Sequence, residues 1–561
     1  MTIAGAIYPD AIPEESATKR MLASSRYFPH HVWQEGRIEL GSATKKPPES
    51  PCRVLFDGIL YNLEALKQVV KGDSVEEIIA ALFTLYQEKC FSLLSGSFTF
   101  TLYDEKKQEL FLVRDRLGEK GLYWTLKNNL FLFANSLKSL LASRLISTTP
   151  DLEALSFYLS FGYIPQEKSP IQNVFKLQPG HYLKVTKEKN LLIRPYWAYN
   201  PLLKQKNVDL TEKDLEHAAE RAWKQRITSS PLCYVQSEEE ATLLQKSNNT
   251  LRCIQPSKTL SSEEVFADLY EMIWQLEEPV ADISLPALWH TCKNLKSQNA
   301  TELFFTTGSL PHLQREIHPP QLFFFKPFSF IERFLKERML IPFFHRLHPS
   351  TAYEMLRSIH THPWHIAFLN QSALFDHKEF DDLHSHLLKP VNNEIFLHRF
   401  PALEKLGPTI SSLLYLYHKI KLPTASLLPQ DRFCSHFGMV SKTPYLDVHM
   451  IELLAKVPDM SNGLCYAKLF TPTTSRVAPL PAWINTMTIQ KMTEKLSKSV
   501  LVEAGLFSPS WLSEQMKNFN RHPHLFFQEL WGLLVLEVWF RLFIEGGSPQ
   551  NSRTRLQADS S

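Results

Sequence analysis

No glycine occurs between His181 and Thr307 in this chain of 561 residues. Glycine lets the backbone take positive φ and approach a ligand closely. The loops that cradle phosphate at a helix N-terminus depend on it. A glycine-rich nucleotide loop therefore cannot lie in that stretch. The shortage is general, with 18 glycines in all, ten of them in the first 180 residues.

The length suits two to four domains. With 44% hydrophobic and 21% charged residues, the composition is globular and excludes disorder over most of the chain. A net charge of +3 is too even for binding nucleic acid by phosphate neutralisation, and gives no reason to sit on an anionic membrane. The seven cysteines include no CxxC pair, which fits a reduced, cytoplasmic compartment. The start of the sequence lacks the basic flank and apolar run of a signal peptide. The apolar stretch Trp531 to Phe543 is shorter than the ~20 residues needed to span a bilayer.

Residues 1 to about 200 read as α+β with an extensive sheet. Arg53 to Phe56, Ser97 to Tyr103, Leu110 to Val113 and Leu130 to Ala134 have strand length and strand residue types. Asp104 to Lys107 reads as a turn, and Val75 to Glu88 as a helix with Ile78, Ile79, Leu82 and Leu85 on one face. From about residue 210 helical spacing takes over. A helix opens at Ser262, with Ser261 or Ser262 as its N-cap, and further helices are expected at Ala287 to Leu295 and Phe330 to Met339. Pro231 to Val235 and Leu303 to Phe305 suit buried parallel strands. The segment after residue 320 reads as helical almost throughout, ending in an amphipathic helix at Trp531 to Ile544.

Several strings, in one order and spacing, resemble the glutamine-hydrolysing asparagine synthetase family. Arg114 to Tyr123, RDRLGEKGLY, is similar to the family's R-D-x-x-G-x-K-P-L-Y. Gly96 to Phe100 with Asp104, Phe133 to Lys138, Asp57 to Asn62, Phe161 to Pro165 and Leu177 to Tyr182 match further family strings of the first domain. In the second half Glu277 to Ser284 resembles E-E-P-x-A-D-P-S, and Asp431 to Cys434 with Pro444 to Asp447 resembles D-R-x-S…P-F-L-D. The resemblance implies an N-terminal four-layer αββα domain of the N-terminal-nucleophile hydrolase type, of glutamine amidotransferase type 2, at residues 1–205. An α/β ATP-pyrophosphatase-like domain with a large helical C-terminal part follows at 206–546, and 547–561 is expected to be a disordered tail.

The resemblance also says where chemistry should lie. The family nucleophile is a cysteine after the initiator methionine, whose free α-amine serves as base. Thr2 stands in that place, either as a substitute nucleophile or as a strand residue left after loss of the site. The family's Asn-Gly supplies an amide donor to the oxyanion, and here it is Asp57-Gly58. An ionised carboxylate accepts hydrogen bonds without donating, and repels developing negative charge. Ile59 replaces the neighbouring acid, and the family arginine that binds the glutamine carboxylate falls near Thr44, with Lys45 beside it. Asp73 is either the second amine-binding carboxylate or a helix N-cap.

In the synthetase half, the pyrophosphate loop S-G-G-x-D-S-S is replaced by Gln236, Ser237, Glu238, Glu239 and Glu240, three glutamates where amides should face phosphate. The second loop, S-G-x-G-x-D-E, reads Thr306, Thr307, Gly308, Ser309, Leu310, Pro311, leaving a hard cation no carboxylate there. The family's E-x-R-x-P is reduced to Lys442 and Pro444, and Met487, Thr488 and Ile489 stand where a basic stretch is expected.

These substitutions imply an asparagine synthetase homologue that binds or regulates without transferring an amide, with no cofactor or metal and with a protein partner of unknown identity. The alternative is an active enzyme amidating aspartate with nitrogen from glutamine or ammonia, and it requires Mg-ATP. Neither nucleic acid nor membrane is expected as a partner, and family analogy suggests a homodimer. Of the remaining features, His360, His362 and His365, with His384 and His386 downstream, alternate as zinc ligands can, but Pro363 breaks the helical spacing and no cysteine accompanies them, so they read as surface or core-edge histidines. Phe323 to Phe328 and Pro342 to Phe344 read as core or as a partner surface.

Overall fold

The computed structural model describes residues 2–25, 29–43, 51–165, 167–199, 212–227, 232–235, 252–255, 260–309, 313, 374–375, 387–391, 396, 399–400, 402–403, 410–456, 483–521 and 526–547. They fall into two compact units. The first comprises Met1–Asp151, Pro165–Ala198 and Leu422–Asp431, and the second comprises Leu152–Ile164, Tyr199–Lys421 and Arg432–Ser561.

The first unit is built on two sheets. One has six strands in the order β2 (His30–Glu35), β3 (Ile38–Ala43), β1 (Ile3–Ile7), β8 (Leu130–Ala134), β7 (Tyr123–Lys127), β9 (Phe175–Lys176). The other has five, in the order β11 (Leu191–Pro195), β10 (His181–Val185), β6 (Glu109–Arg114), β5 (Gly96–Asp104), β4 (Cys52–Leu60). All pairings in both are antiparallel.

Period-two alternation explains the layering. Leu55, Leu110, Leu112 and Leu183 of the five-stranded sheet pack with Ile3, Leu40, Phe131 and Phe133 of the six-stranded one. Their neighbours Val54, Phe56, Phe111 and Val113 point the opposite way, into a second core with Ile78, Ile79, Leu82 and Phe83. Those four lie on α3 (Val75–Tyr86), which follows α2 (Leu63–Lys67). The outer face of the six-stranded sheet carries α1 (Ala17–Ala23) and α4 (Leu137–Ala142). There, a Cβ on Gly41 would come within 2.6 Å of Thr18, so glycine lets α1 sit close. Helix, sheet, sheet, helix is the four-layer sandwich expected from the sequence. Each Leu or Phe buried in it contributes ~1.5–3 kcal/mol.

Local signals held at the residue level. Asp104 Oδ1 accepts from the Lys106 and Lys107 amides, making the expected turn. Ser74 caps α3 by accepting from the Glu77 amide, while the Glu77 carboxylate accepts from Asp73 N. The cap is therefore Ser74, not Asp73.

The second unit contains a parallel sheet in the order β13 (Arg252–Ile254), β12 (Leu232–Tyr234), β14 (Glu302–Phe305), β15 (Val440–Lys442). It also holds α5 (Leu152–Phe161), α6 (Glu212–Arg226) and the helices Ser262–Leu276, Leu285–Ser297 and Phe527–Phe543. Ser261 opens Ser262–Leu276 with a reciprocal capping box to Glu264. Two expectations are corrected. Val440–Lys442 is a strand, inside a stretch read as helical. The closing helix is not amphipathic, because all its residues except Gln528 and Arg541 are buried; its charged Glu537 is satisfied by Ser499, the Val500 amide and Arg541.

No helix among the described residues is long and apolar enough to cross a membrane. The expected helix at Phe330 to Met339 lies outside the described residues, as do the aromatic runs at Phe323 to Phe328 and Pro342 to Phe344, His360, His362, His365, His384 and His386, and the tail from residue 548.

Candidate functional site

The start of β1, the end of β8 and the middle of β4 meet at one point. Asn135, directly after β8, joins them: its backbone N–H donates to the Ile3 carbonyl at 3.1 Å. Its Oδ1 accepts from Ile3 N at 3.2 Å, and its Nδ2 donates to Asp57 Oδ2 at 2.8 Å. Thr2, one residue before β1, is buried, and its Oγ1 donates to Ser25 Oγ at 2.9 Å. Burial opposes ionisation of Asp57, but the chain's α-amino group, Lys120 and the Asn135 amide outweigh it and hold the carboxyl below the usual carboxylate range. At neutral pH the group is an anion that accepts hydrogen bonds and offers none.

Gly58 has φ +138, and a Cβ there would lie 2.1 Å from the Ser97 carbonyl oxygen, so only glycine fits. The structure therefore brings together Thr2, Asp57 and Gly58 of the residues expected at this site. Asp73 stands exposed before α3, with its N–H given to Glu77. Thr44 and Lys45 lie outside the described residues. In the sequence, Asn135 stands out only as part of the string Phe133 to Lys138. The signal that would have singled it out is that it replaces the serine of the family's F-A-S-E.

The string Arg114 to Tyr123 folds as a tight turn. The buried Asp115 carboxylate accepts from the amides of Leu117, Gly118, Glu119 and Lys120 at 2.7–3.0 Å. Arg114 donates to the carbonyls of Lys120, Gly118 and Leu177, so the turn is tied to the string Leu177 to Tyr182. Lys120 pairs with Asp431 at 2.5 Å. These residues build a scaffold from charged side chains whose hydrogen-bonding capacity is used internally.

In the second unit the described part of the two loops expected from the resemblance is the end of β14. Thr306, Thr307 and Ser309 are buried, and Ser309 N donates to the Thr306 carbonyl at 2.8 Å. Gly308 has φ +84, and a Cβ there would lie 2.4 Å from Leu446. That glycine serves a turn packed on the Pro444–Leu446 segment. Gln236, Ser237, Glu238, Glu239, Glu240 and Leu310 lie outside the described residues.

Two positions that departed from the family strings have local partners. Lys442 Nζ donates at 2.6 Å to both Glu302 and the Arg226 carbonyl, and stands 5.3 Å from the Phe304 ring. Thr488 forms a capping box with Asn485 at the start of the helix Thr486–Leu496. The strings that match well meet at a different place. Arg432 pairs with buried Glu277 at 3.2 Å, the Trp539 indole donates to the Glu277 carbonyl, Ala281 N donates to the Gly162 carbonyl, and Tyr158 Oη donates to the Gly532 carbonyl. Among the described residues no group of three or more His, Cys, Asp and Glu is arranged to hold a metal ion.

The family model for a glutamine amidotransferase domain matches residues 38–197. The relatives extend this beyond the first domain. Asparagine synthetase (glutamine-hydrolyzing) 1 of Bacillus subtilis is 23% identical over 72% of this chain and 70% of its own length. A second asparagine synthetase of that organism, numbered 3, is 29% identical over 32% of this chain and 31% of its own. An amidase of Gibberella zeae is 34% identical over 31% of this chain and 28% of its own. Among solved structures, the glutamine phosphoribosylpyrophosphate amidotransferase from Bacillus subtilis has a TM-score of 0.26 and 13% identity, covering 46% of this chain and 66% of that one. The likeness to a glutamine-hydrolysing asparagine synthetase thus spans 72% of this chain, at 23% identity.

Proposed function

We propose that this chain is an asparagine synthetase homologue that has lost amide transfer and acts by binding or regulation in the cytoplasm. The observation that carries this reading is Asp57. The position of the family's oxyanion donor holds a buried carboxylate that accepts from Asn135. Removing one oxyanion donor costs an acyl-transfer enzyme ~2.7–4 kcal/mol of transition-state stabilisation, and a negative charge in its place adds repulsion. The three glutamates at 238, 239 and 240 and the loss of acids at 310 and 311 support the same reading for the synthetase half.

On this reading the protein needs no metal or cofactor, and its partner is another protein. The test is Mg-ATP binding followed by aspartate-dependent ATP–pyrophosphate exchange on the purified full chain. No thermal shift with Mg-ATP and no exchange are expected. Clear exchange would sink the proposal and favour the second reading, an enzyme using Mg-ATP, aspartate and ammonia, for which the likeness to the Bacillus subtilis synthetase over 72% of the chain speaks. Glutaminase activity that requires removal of Met1 would instead assign Thr2 as a nucleophile.

A further inference from the structure

One row of residues crosses the parallel sheet of the second unit. The registers pair Cys253 with Cys233, Cys233 with Phe304, and Phe304 with Lys442, so all four side chains stand on one face. The face is covered by α6, whose Trp223 stacks on Phe304 at 5.3 Å and whose Arg226 carbonyl accepts from Lys442. Cys233 and Cys253 belong to this same cluster, with Val235 and Ile227. Neither is joined in a disulfide.

Adjacent strands lie about 4.8 Å apart, and directly paired side chains point the same way. That separation falls within the Cα range of disulfides, which is about 4.4–6.8 Å. The two cysteines differ in access. Cys233 is fully buried in strand β12, whereas Cys253 is half-buried on β13, the outermost of the described strands.

We propose that Cys253 and Cys233 form a reversible thiol–disulfide pair, a modification site whose oxidant is a low-molecular-weight disulfide of the glutathione class. The Cys253 thiolate attacks one sulfur of the small disulfide, forming a mixed disulfide and releasing one small thiolate. The Cys233 thiolate then attacks Cys253 Sγ, forming the internal disulfide and releasing the second. The two protein thiols lose two protons and two electrons, and the small disulfide is reduced to two thiols. Because Cys253 is only half-buried, the bond stays within reach of a small thiol, which keeps it open to reduction. The bond would tie β13 to β12 immediately before β12 runs into residues 236–240. This inference is independent of whether either family activity survives.

The experiment treats the folded full chain with oxidised glutathione, blocks remaining thiols with N-ethylmaleimide under denaturing conditions, and reads peptides by mass spectrometry. A cross-linked peptide joining Cys233 and Cys253 is expected, lighter by two hydrogen masses and lost on reduction with dithiothreitol. Cys233→Ser should trap glutathione on Cys253, and Cys253→Ser should leave Cys233 unmodified. Wild-type chain carrying glutathione on Cys253 while Cys233 remains alkylatable would overturn the proposal. So would no modification of either thiol, or a cross-link between other cysteines instead. The wild-type readings need no variant, so a Cys233→Ser chain that fails to fold leaves the test intact.

Discussion

Asn135 holds more of the first unit together than its size suggests. Its side chain serves a backbone amide of β1 and a buried carboxylate of β4, so it pins one sheet to the other. In Asn135→Ala the Ile3 amide loses an acceptor, and Asp57 loses a neutral donor in a buried setting. A hydrogen bond to a charged group contributes ~1.5–3 kcal/mol, and a buried group left short costs a similar amount. We expect a loss of about 3 kcal/mol in urea denaturation. Asn135→Asp should be at least as damaging, because it sets a second acid against Asp57. A loss below about 1 kcal/mol in Asn135→Ala would mean that water replaces the amide without penalty.

His418 is a second residue whose environment is legible in free energy. Burial drives its pKa down to about 4, against a hydrogen bond from its ring to the Leu414 carbonyl that works the other way. Its ring stacks on Tyr199 at 5.0 Å. Above pH ~6.5 the imidazole is neutral in both folded and unfolded chains, so pH does not matter to it. Below that the unfolded chain binds the proton and the folded one does not, so stability falls until the folded pKa is reached. The gap between about 4 and ~6.5 corresponds to about 3 kcal/mol lost across that window. A pH series of melting temperatures should show His418→Phe with a flatter slope between pH 6.5 and 4 than the parent chain. Parallel slopes would place the titration elsewhere.

Among the elements, what could be read from the sequence was decided by period and by capping. Strands with alternating faces, such as Arg53 to Phe56, told their layer because each side meets a different core. Ser261 and its Glu264 announced a helix start. Val440–Lys442 gave no such signal, since three residues are too few to show alternation and its place is set by pairing with β14. The closing helix misled for the opposite reason. Glu537 and Arg541 put two charges into an apolar run, but they pair with each other, and Glu537 also serves Ser499 and the Val500 amide inside the core. At the site, the substitutions at 2 and 57 were visible as departures from a motif, but the partner of Asp57 was not, because Asn135 is distant in sequence. The Arg432–Glu277 pair tests how far the matching strings act as scaffold. Arg432→Ala leaves Glu277 as a buried charge without its cation, and ~3–5 kcal/mol should be lost. Arg432→Met with Glu277→Gln should recover part of it, since the buried carboxylate and its cation go together. A single variant as stable as the parent would remove the pair from the scaffold.

At the scale of the whole molecule, the first unit is not one stretch of chain. Leu422–Asp431 clusters with Met1–Asp151 and Pro165–Ala198. Its terminal residue, Asp431, supplies the carboxylate for Lys120, and both side chains are mostly buried, at 13% and 8% exposed. The boundary expected near residue 205 therefore leaves a fragment in which Lys120 loses its ion pair with Asp431 and keeps the charge of Asp57. Breaking a buried pair by removing one partner costs ~3–5 kcal/mol, because the remaining charge stays in low dielectric. A domain of roughly 200 residues has only ~5–15 kcal/mol in total. Residues 1–205 expressed alone should consequently melt well below the corresponding transition of the full chain. Lys120→Met in the fragment should restore part of the difference, because an apolar side chain of similar length needs no partner, whereas Asp431→Asn should lower the same transition in the full chain. If the fragment melts at the full-chain temperature and Lys120→Met changes nothing, Leu422–Asp431 contributes no stability to the sandwich, and the first domain is a continuous segment after all.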